Sequence, residues 1–151
     1  MPKIARDLPL AEITLRRYEK PALKDRELVR KLCLSIGLLQ PGDSRDVIVD
    51  ILYILLKEKK DYNCEEVREK VIELRKSKSM ELLGIAYPNI RRQLRRLREI
   101  SIVEKKSNRY RITENLSLNE IMSEKIQKFI IPAINERISD YCSAVDKEFS
   151  K

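Results

Sequence analysis

Arginine and lysine side chains crowd into residues 89–111 of this chain. The segment holds nine basic residues against two acidic ones, while the whole chain carries a formal net charge of +8. The excess positive charge is therefore local. Guanidinium and ammonium groups at this density favour binding to a polyanion, because each donates charge-assisted hydrogen bonds to anionic oxygens. The nine residues are Arg91, Arg92, Arg95, Arg96, Arg98, Lys105, Lys106, Arg109 and Arg111.

The first half of the segment predicts a helix over about 88–99. Pro88 suits the first helical position, where its missing N–H costs nothing. Ile90, Leu94 and Leu97 recur at intervals of four and three residues, which indicates a narrow buried stripe. Two pairs of arginines four residues apart would then repel each other at about 0.2–0.5 kcal/mol per pair. An external anion would relieve this repulsion. The alternative is a solvated face paired with acidic side chains elsewhere in the chain.

The second half switches to the alternating pattern of strands and predicts a hairpin. Residues 102–105 and 109–113 form the two strands, and Ser107 and Asn108 form the turn, since Asn tolerates positive φ. The expected register pairs Val103 with Ile112, Glu104 with Arg111, Lys105 with Tyr110 and Lys106 with Arg109. Tyr110 and Ile112 are expected to face the core. The tip brings two cations together, which a polyanion would offset.

The preceding residues predict the helices that position this segment. We expect a short helix over 10–20, an amphipathic helix over 25–39 with Leu28, Leu32, Ile36 and Leu39 on one face, a central buried helix over 45–59, and a helix from Asn63 to Gly84. Asn63 is the expected N-cap of the last of these. The turn at 40–44 should place Asp43 or Ser44 as the cap of the central helix.

The carboxyl-terminal residues predict one long helix of about thirty residues. Ser117 and Glu120 have the spacing of a capping box, and Pro132 is expected to kink or split the helix. An apolar stripe along it is assigned to dimerisation, although packing back on the chain's own helices remains open. The dimerisation residues are Met122, Ile126, Phe129, Ile134, Ile138, Tyr141 and Val145, and Phe149 continues the stripe.

The order helix, helix, basic helix, basic hairpin is that of a winged helix-turn-helix. The run GIAYPNIRRQLRRLREISIVEKKSNRYRIT resembles the recognition helix and wing of small winged-helix regulators of the PadR, MarR and TrmB-like families. The resemblance covers about 44–113. It implies a mainly α fold with a small β-hairpin wing and a long dimerisation helix. The expected organisation is an N-terminal helical extension over 1–40, the winged domain over 41–115 and the C-terminal segment over 116–151.

What the resemblance implies for function is double-stranded DNA binding, and transcription regulation, by a homodimer. The helix over 88–99 would enter the major groove, and the wing over 102–113 would lie on the backbone or minor groove. Asn89, Arg92, Gln93 and Arg96 are assigned to base edges, Arg91, Arg95 and Arg98 to phosphates, and Lys105, Lys106 and Arg109 to the backbone or minor groove. The alternative is a winged helix that binds an acidic protein partner in a transcription or replication assembly.

Composition argues against several other classes. The chain has no histidine and three glycines, so the commonest general base is missing and no glycine-rich phosphate loop is found. We therefore expect no enzyme activity, no cofactor and no metal site. Three cysteines without paired spacing predict neither a disulfide framework nor a zinc site. No apolar run approaches the ~20 residues of a membrane span, so a cytoplasmic protein is expected. The 37% of charged residues fits a thermophilic source.

Overall fold

The computed structural model describes residues 7–150 and is mainly helical, as predicted. Its helices α1 (Asp25–Ser35), α2 (Val47–Glu58), α3 (Cys64–Ser77) and α4 (Tyr87–Glu99) precede an antiparallel hairpin of β1 (Val103–Lys106) and β2 (Arg109–Ile112). A 3₁₀ turn over Thr113–Asn115 leads into a long helical segment made of α5 (Leu118–Ile121), a π-helical stretch (Met122–Ile130) and α6 (Ile131–Glu148).

Helix α2 is the centre of the core, as the sequence predicted. All nine residues from Val47 to Leu55 are buried, and α1, α3, α4 and β2 pack around them. Full burial of one leucine or isoleucine side chain contributes about 1.5–3 kcal/mol. The core also takes in Cys33, Leu34 and Leu39 from the first forty residues. Residues 25–40 are thus part of this packing unit and do not form a separate extension.

The helix predicted over 10–20 is absent, and this prediction was wrong. The segment lies extended against the end of α1. There the backbone N–H of Arg16 donates to the carbonyl oxygen of Ser35 (2.8 Å), and its guanidinium donates to those of Leu34 (2.7 Å) and Leu39 (3.1 Å). The last carbonyls of a helix have no partner within it. Here Arg16, in a segment without regular secondary structure, satisfies two of them through its backbone N–H and its guanidinium.

Helices α1 and α3 both end earlier than predicted, for the same reason. Each ends in a Schellman motif, in which a residue with positive φ turns the chain and two N–H groups bond back to the last turn. Gly37 (φ 76°) occupies the turning position after α1, and Ser79 (φ 54°) occupies it after α3. The predicted ends at Leu39 and Gly84 are therefore corrected to Ser35 and Ser77.

The caps were predicted with mixed success. Asn63 caps α3 in a capping box with Glu66, and the predicted box of Ser117 and Glu120 caps α5. The central helix α2, however, starts after Asp46 and not after Asp43 or Ser44. The Asp43 carboxylate instead accepts a bond from the N–H of Arg45 (3.0 Å) within the turn.

A buried ionic cluster of Arg26, Asp46, Asp50 and Arg75 joins α1, α2 and α3. Asp50 is fully buried, and it accepts from Arg26 Nε (2.8 Å) and from Arg75 NH2 (2.6 Å). Asp46 accepts from the same two arginines at 3.0 and 2.9 Å. Burial raises the pKa of the Asp46 carboxyl, but the hydrogen bonds and charges of the arginines outweigh it and hold that pKa below its ordinary value.

The hairpin has the predicted register, with Val103 opposite Ile112 and Lys106 opposite Arg109. Ser107 and Asn108 both have positive φ (50° and 62°), which a tight two-residue turn requires. Tyr110 is buried in the core, as predicted. Tyr110 also exchanges two backbone hydrogen bonds with Tyr62 (2.9 and 2.7 Å), so the outer edge of β2 is tied to the loop before α3.

The long carboxyl-terminal helix is not split at Pro132. Backbone angles stay helical through Ile130 and Ile131, and the π-helical stretch ends at Ile130, two residues before Pro132. In an α-helix the ring of Pro132 would clash with the carbonyl of Lys128. The wider turns of the π-helical stretch come shortly before Pro132. Turns of this kind are a known cause of helix distortion. Across residues 7–150, no helix is both long and apolar enough to cross a bilayer.

Candidate nucleic-acid interface

Helix α4 sits on the core by its predicted stripe. Ile90, Leu94 and Leu97 are each 0% exposed, and they contact the layer formed by α2 and α3. The helix also has the predicted extent, with Pro88 in its first turn. Because the three apolar side chains fix the rotation of α4 about its axis, they also decide which of its polar side chains reach solvent.

Four arginines of α4 project into solvent without an acidic partner. They are Arg91, Arg92, Arg95 and Arg98. Within residues 7–150, no carboxylate lies within 4 Å of any of these guanidinium groups. Their charges therefore remain available to an external anion. The alternative interpretation was a face neutralised by acidic side chains of the same chain. It requires carboxylate partners for these arginines, and the described residues supply none.

The hairpin adds two exposed lysines, Lys105 and Lys106, beside α4. Lys105 places its ammonium over the ring of Tyr110 at 5.6 Å. A shallow groove of about 570 Å³ connects the hairpin to α4, and Lys105 and Arg91 both line it together with Cys64. We call the exposed cations Arg91, Arg92, Arg95, Arg98, Lys105 and Lys106 together the basic face. Lys105 borders the groove, whereas Lys106, the next residue of β1, points to the other side of the hairpin.

Arg109 is not part of the basic face, although it was predicted to contact DNA. Its guanidinium is held by the carboxylates of Asp61 (3.2 Å) and Glu66 (3.2 Å). From the sequence, an external polyanion was expected to offset the repulsion between Lys106 and Arg109. In the structure, the carboxylates of Asp61 and Glu66 already offset it. Arg111 is likewise paired, with Glu104 at 2.6 Å.

The other flank of α4 carries a chain of hydrogen bonds. Asn89 Nδ2 donates to the carbonyl oxygen of Gly84 (2.8 Å), and Gln93 Nε2 donates to Asn89 Oδ1 (3.0 Å). Arg96 NH1 then donates to Gln93 Oε1 (2.8 Å), and its NH2 reaches the carbonyl oxygen of Gly37 (3.4 Å). All three side chains are half-buried. Three of the four residues assigned to base edges are thus bonded within the chain.

Cys64 lies where the groove meets the first turn of α3. Burial raises the pKa of its thiol, and the nearby charges of Arg91 and Lys105 oppose this shift without cancelling it. The thiol is therefore protonated at neutral pH, so the groove gains no thiolate charge. Residues 7–150 contain no group of three or more acidic, cysteine or histidine side chains that could hold a metal ion.

The residues assigned to dimerisation fall into two groups. Ile126 is buried in the chain's own core and Met122 packs against it, so neither is free to meet a partner. Phe129, Ile138, Tyr141 and Val145 are all more than half exposed, and Ile134 is half-buried. The alternative in which this stripe packs back on the domain holds only for the first part of the helix.

No family model matches this chain, and neither does any curated protein or solved structure.

Two features of the site escaped the sequence analysis. Asp61, an acidic partner of Arg109, lies 48 residues away in the sequence, so a local pattern could not identify it. The chain from Asn89 through Gln93 to Arg96 could have been found. Its spacing of four and three residues is the one at which amide side chains meet on a helix surface.

Proposed function

We propose that this chain is a double-stranded DNA-binding protein of the winged-helix type and that it acts as a transcription regulator. The observation that carries the proposal is the basic face, with six exposed cations on one helix and one hairpin and no carboxylate of residues 7–150 within salt-bridge distance. Double-stranded DNA presents one negative charge per ~1.7 Å of its axis, so it matches a surface of this density.

The shapes of the two elements support the same proposal. An α-helix with its side chains is about 10–12 Å across, and the major groove of B-DNA is about 12 Å wide. With α4 in this groove, the adjacent hairpin would carry Lys105 and Lys106 to the neighbouring phosphates. Arg92 and Arg95, at the outermost part of α4, would lie closest to the base edges.

The salt dependence of binding to a random duplex tests the proposal. If all six cations of the basic face contact phosphates, the logarithm of the affinity should fall with the logarithm of salt at a slope of about −5 per subunit. Fluorescence anisotropy with a labelled 20-base-pair duplex between about 50 and 200 mM salt measures this slope. A flat dependence, or absence of binding at the lowest salt together with tight binding of one acidic protein, would favour the protein-interaction alternative.

A homodimer formed through α6 is part of the proposal. Ile134, Ile138, Tyr141 and Val145 follow intervals of four, three and four residues, which is the spacing of a two-stranded coiled coil. They are large apolar side chains of α6, and the rest of the described chain leaves them exposed or half-buried. A second copy would present the same stripe, and two basic faces would then bind two half-sites of one duplex.

Ile138→Asp should convert the dimer to a monomer. Each copy would lose a buried isoleucine and place a carboxylate in the apolar seam, so the dissociation constant should rise by about 10²- to 10⁴-fold. Sedimentation equilibrium measures the change. Ser143→Asp is the matched control, because it adds the same charge to the same helix away from the stripe. Equal association of the two variants, or a monomeric wild type, would contradict the assignment.

A further inference from the structure

Helix α4 has two polar flanks, and they differ in what their side chains contact. At about 100° of rotation per residue, Gln93 lies about 160° and Asn89 about 120° from Arg95 around the helix axis. From Arg92, Arg96 lies about 40°, Asn89 about 60° and Gln93 about 100° away, so the hydrogen-bonded chain borders the basic face on its Arg92 side. The two sets of side chains differ in their contacts: Asn89 and Gln93 are half-buried and bonded within the protein, whereas Arg92 and Arg95 are exposed.

The hydrogen-bonded chain joins α4 to the two turns beside it. Its end acceptors are the carbonyl oxygens of Gly84, which precedes α4, and of Gly37, which follows α1. Gly84 has positive φ (73°), and a Cβ built on it would lie 3.1 Å from Asn89 Nδ2. The close fit at Gly84 and the use of both ends of each amide indicate that these side chains hold α4 in position.

The hydrogen bonds of the two amides limit which side chains of α4 can recognise bases. Asn and Gln read adenine by donating and accepting together, whereas Arg reads guanine. Arg92 and Arg95 are exposed on the outward side of α4, whereas the amides of Asn89 and Gln93 are half-buried and already bonded within the protein.

Resting on the proposed function, we infer that Asn89, Gln93 and Arg96 are positioning residues and do not read bases. The duplex is bound chiefly through its phosphates, and sequence preference is limited to guanine contacts by Arg92 and Arg95. The expected ligand is therefore duplex DNA of many sequences, with preferences at single guanines of about 5- to 150-fold, the range of one bidentate contact.

Selection from a library of 20-base-pair duplexes with randomised sequence tests the inference. Wild type, Asn89→Ala, Gln93→Glu and Arg92→Ala are each used to select bound duplexes at low salt, and folding is checked by thermal melting. Gln93→Glu loses the Nε2 donor to Asn89 but keeps an acceptor for Arg96, now as an ion pair, and it leaves the bond from Asn89 to Gly84 in place, so it should fold even if Asn89→Ala does not. At a base-reading position it would change a preference for adenine into one for cytosine, because a carboxylate accepts from the cytosine amino group.

The expected result is one consensus shared by wild type, Asn89→Ala and Gln93→Glu, with affinities for all duplexes changed by a common factor. Arg92→Ala should lose a guanine from that consensus. An adenine in the wild-type consensus that disappears with Asn89→Ala, or becomes cytosine with Gln93→Glu, would overturn the inference and leave the proposed function intact. Failure of the wild type to retain any duplex at low salt would overturn both.

Discussion

Asp50→Ala should lower the free energy of unfolding by about 3–5 kcal/mol, the range found when one partner of a buried ion pair is removed. Asp50 is completely buried, and it accepts hydrogen bonds from Arg26 and Arg75, which are themselves 5% and 3% exposed. Without it, two guanidinium groups would remain inside the protein with Asp46 as their shared carboxylate, and Arg26 would keep its contact with the exposed Glu27 (3.5 Å). The cost is mainly that of leaving buried positive charge only partly compensated.

Urea unfolding followed by circular dichroism measures this effect. Asp140→Ala is the matched control, because Asp140 is also an aspartate on a helix paired with an arginine, Arg137 at 3.3 Å, but both side chains are about two-thirds exposed. Exposed pairs contribute about 0.2–1 kcal/mol, so the control should change little. A similar, small loss of stability in both variants would show that the buried ionic cluster is not needed to hold α1, α2 and α3 together.

Replacing Arg91, Arg92, Arg95 and Arg98 together by alanine should lower the affinity for duplex DNA by about 10³- to 10⁴-fold at 0.1 M salt. Each phosphate contact contributes about 0.9 to the salt slope, so the loss of the contacts of Arg91 and Arg98 should reduce the slope by about 1.8 per subunit. Arg92 and Arg95 add to the loss of affinity through their guanine contacts. The fold should persist, since all four side chains are exposed and none has a carboxylate partner within residues 7–150.

The matched control removes the same number of charges from exposed lysines outside the basic face. Lys20, Lys24, Lys76 and Lys147 are exposed, and within the described residues none of them forms an ion pair. Their replacement by alanine tests whether net charge alone drives binding. If both quadruple variants lose affinity equally, the basic face has no special role. If only the arginine variant does, binding depends on that surface.

The sequence predicted the elements whose determinants are local. The stripe of Ile90, Leu94 and Leu97 located α4, and the two residues Ser107 and Asn108 fixed the register of the hairpin. The N-cap at Asn63 and the capping box of Ser117 and Glu120 were predicted because their residues lie within one turn of the helix they cap. In each case the interacting residues are neighbours in the chain, so their spacing carries the information.

What the sequence did not predict depends on contacts between distant segments. The end of α3 was placed at Gly84, because glycine is the usual residue for positive φ. In the structure Ser79 adopts that conformation, while Arg75 in the last turn of α3 enters the buried ionic cluster. Asp50 interrupted an otherwise apolar run, which was a signal of a buried charge. Its partners, 24 and 25 residues away, could not be identified from spacing.

The attachment of the hairpin to the body of the protein affects how any ligand of the basic face would bind. Two backbone hydrogen bonds between Tyr62 and Tyr110, and the pairing of Arg109 with Asp61 and Glu66, hold the hairpin from its outer side. Lys105 and Lys106 are therefore preorganised relative to α4 before a ligand arrives. Ordering a mobile loop on association costs conformational entropy. Because the hairpin is already held in place, binding would not incur this entropic cost.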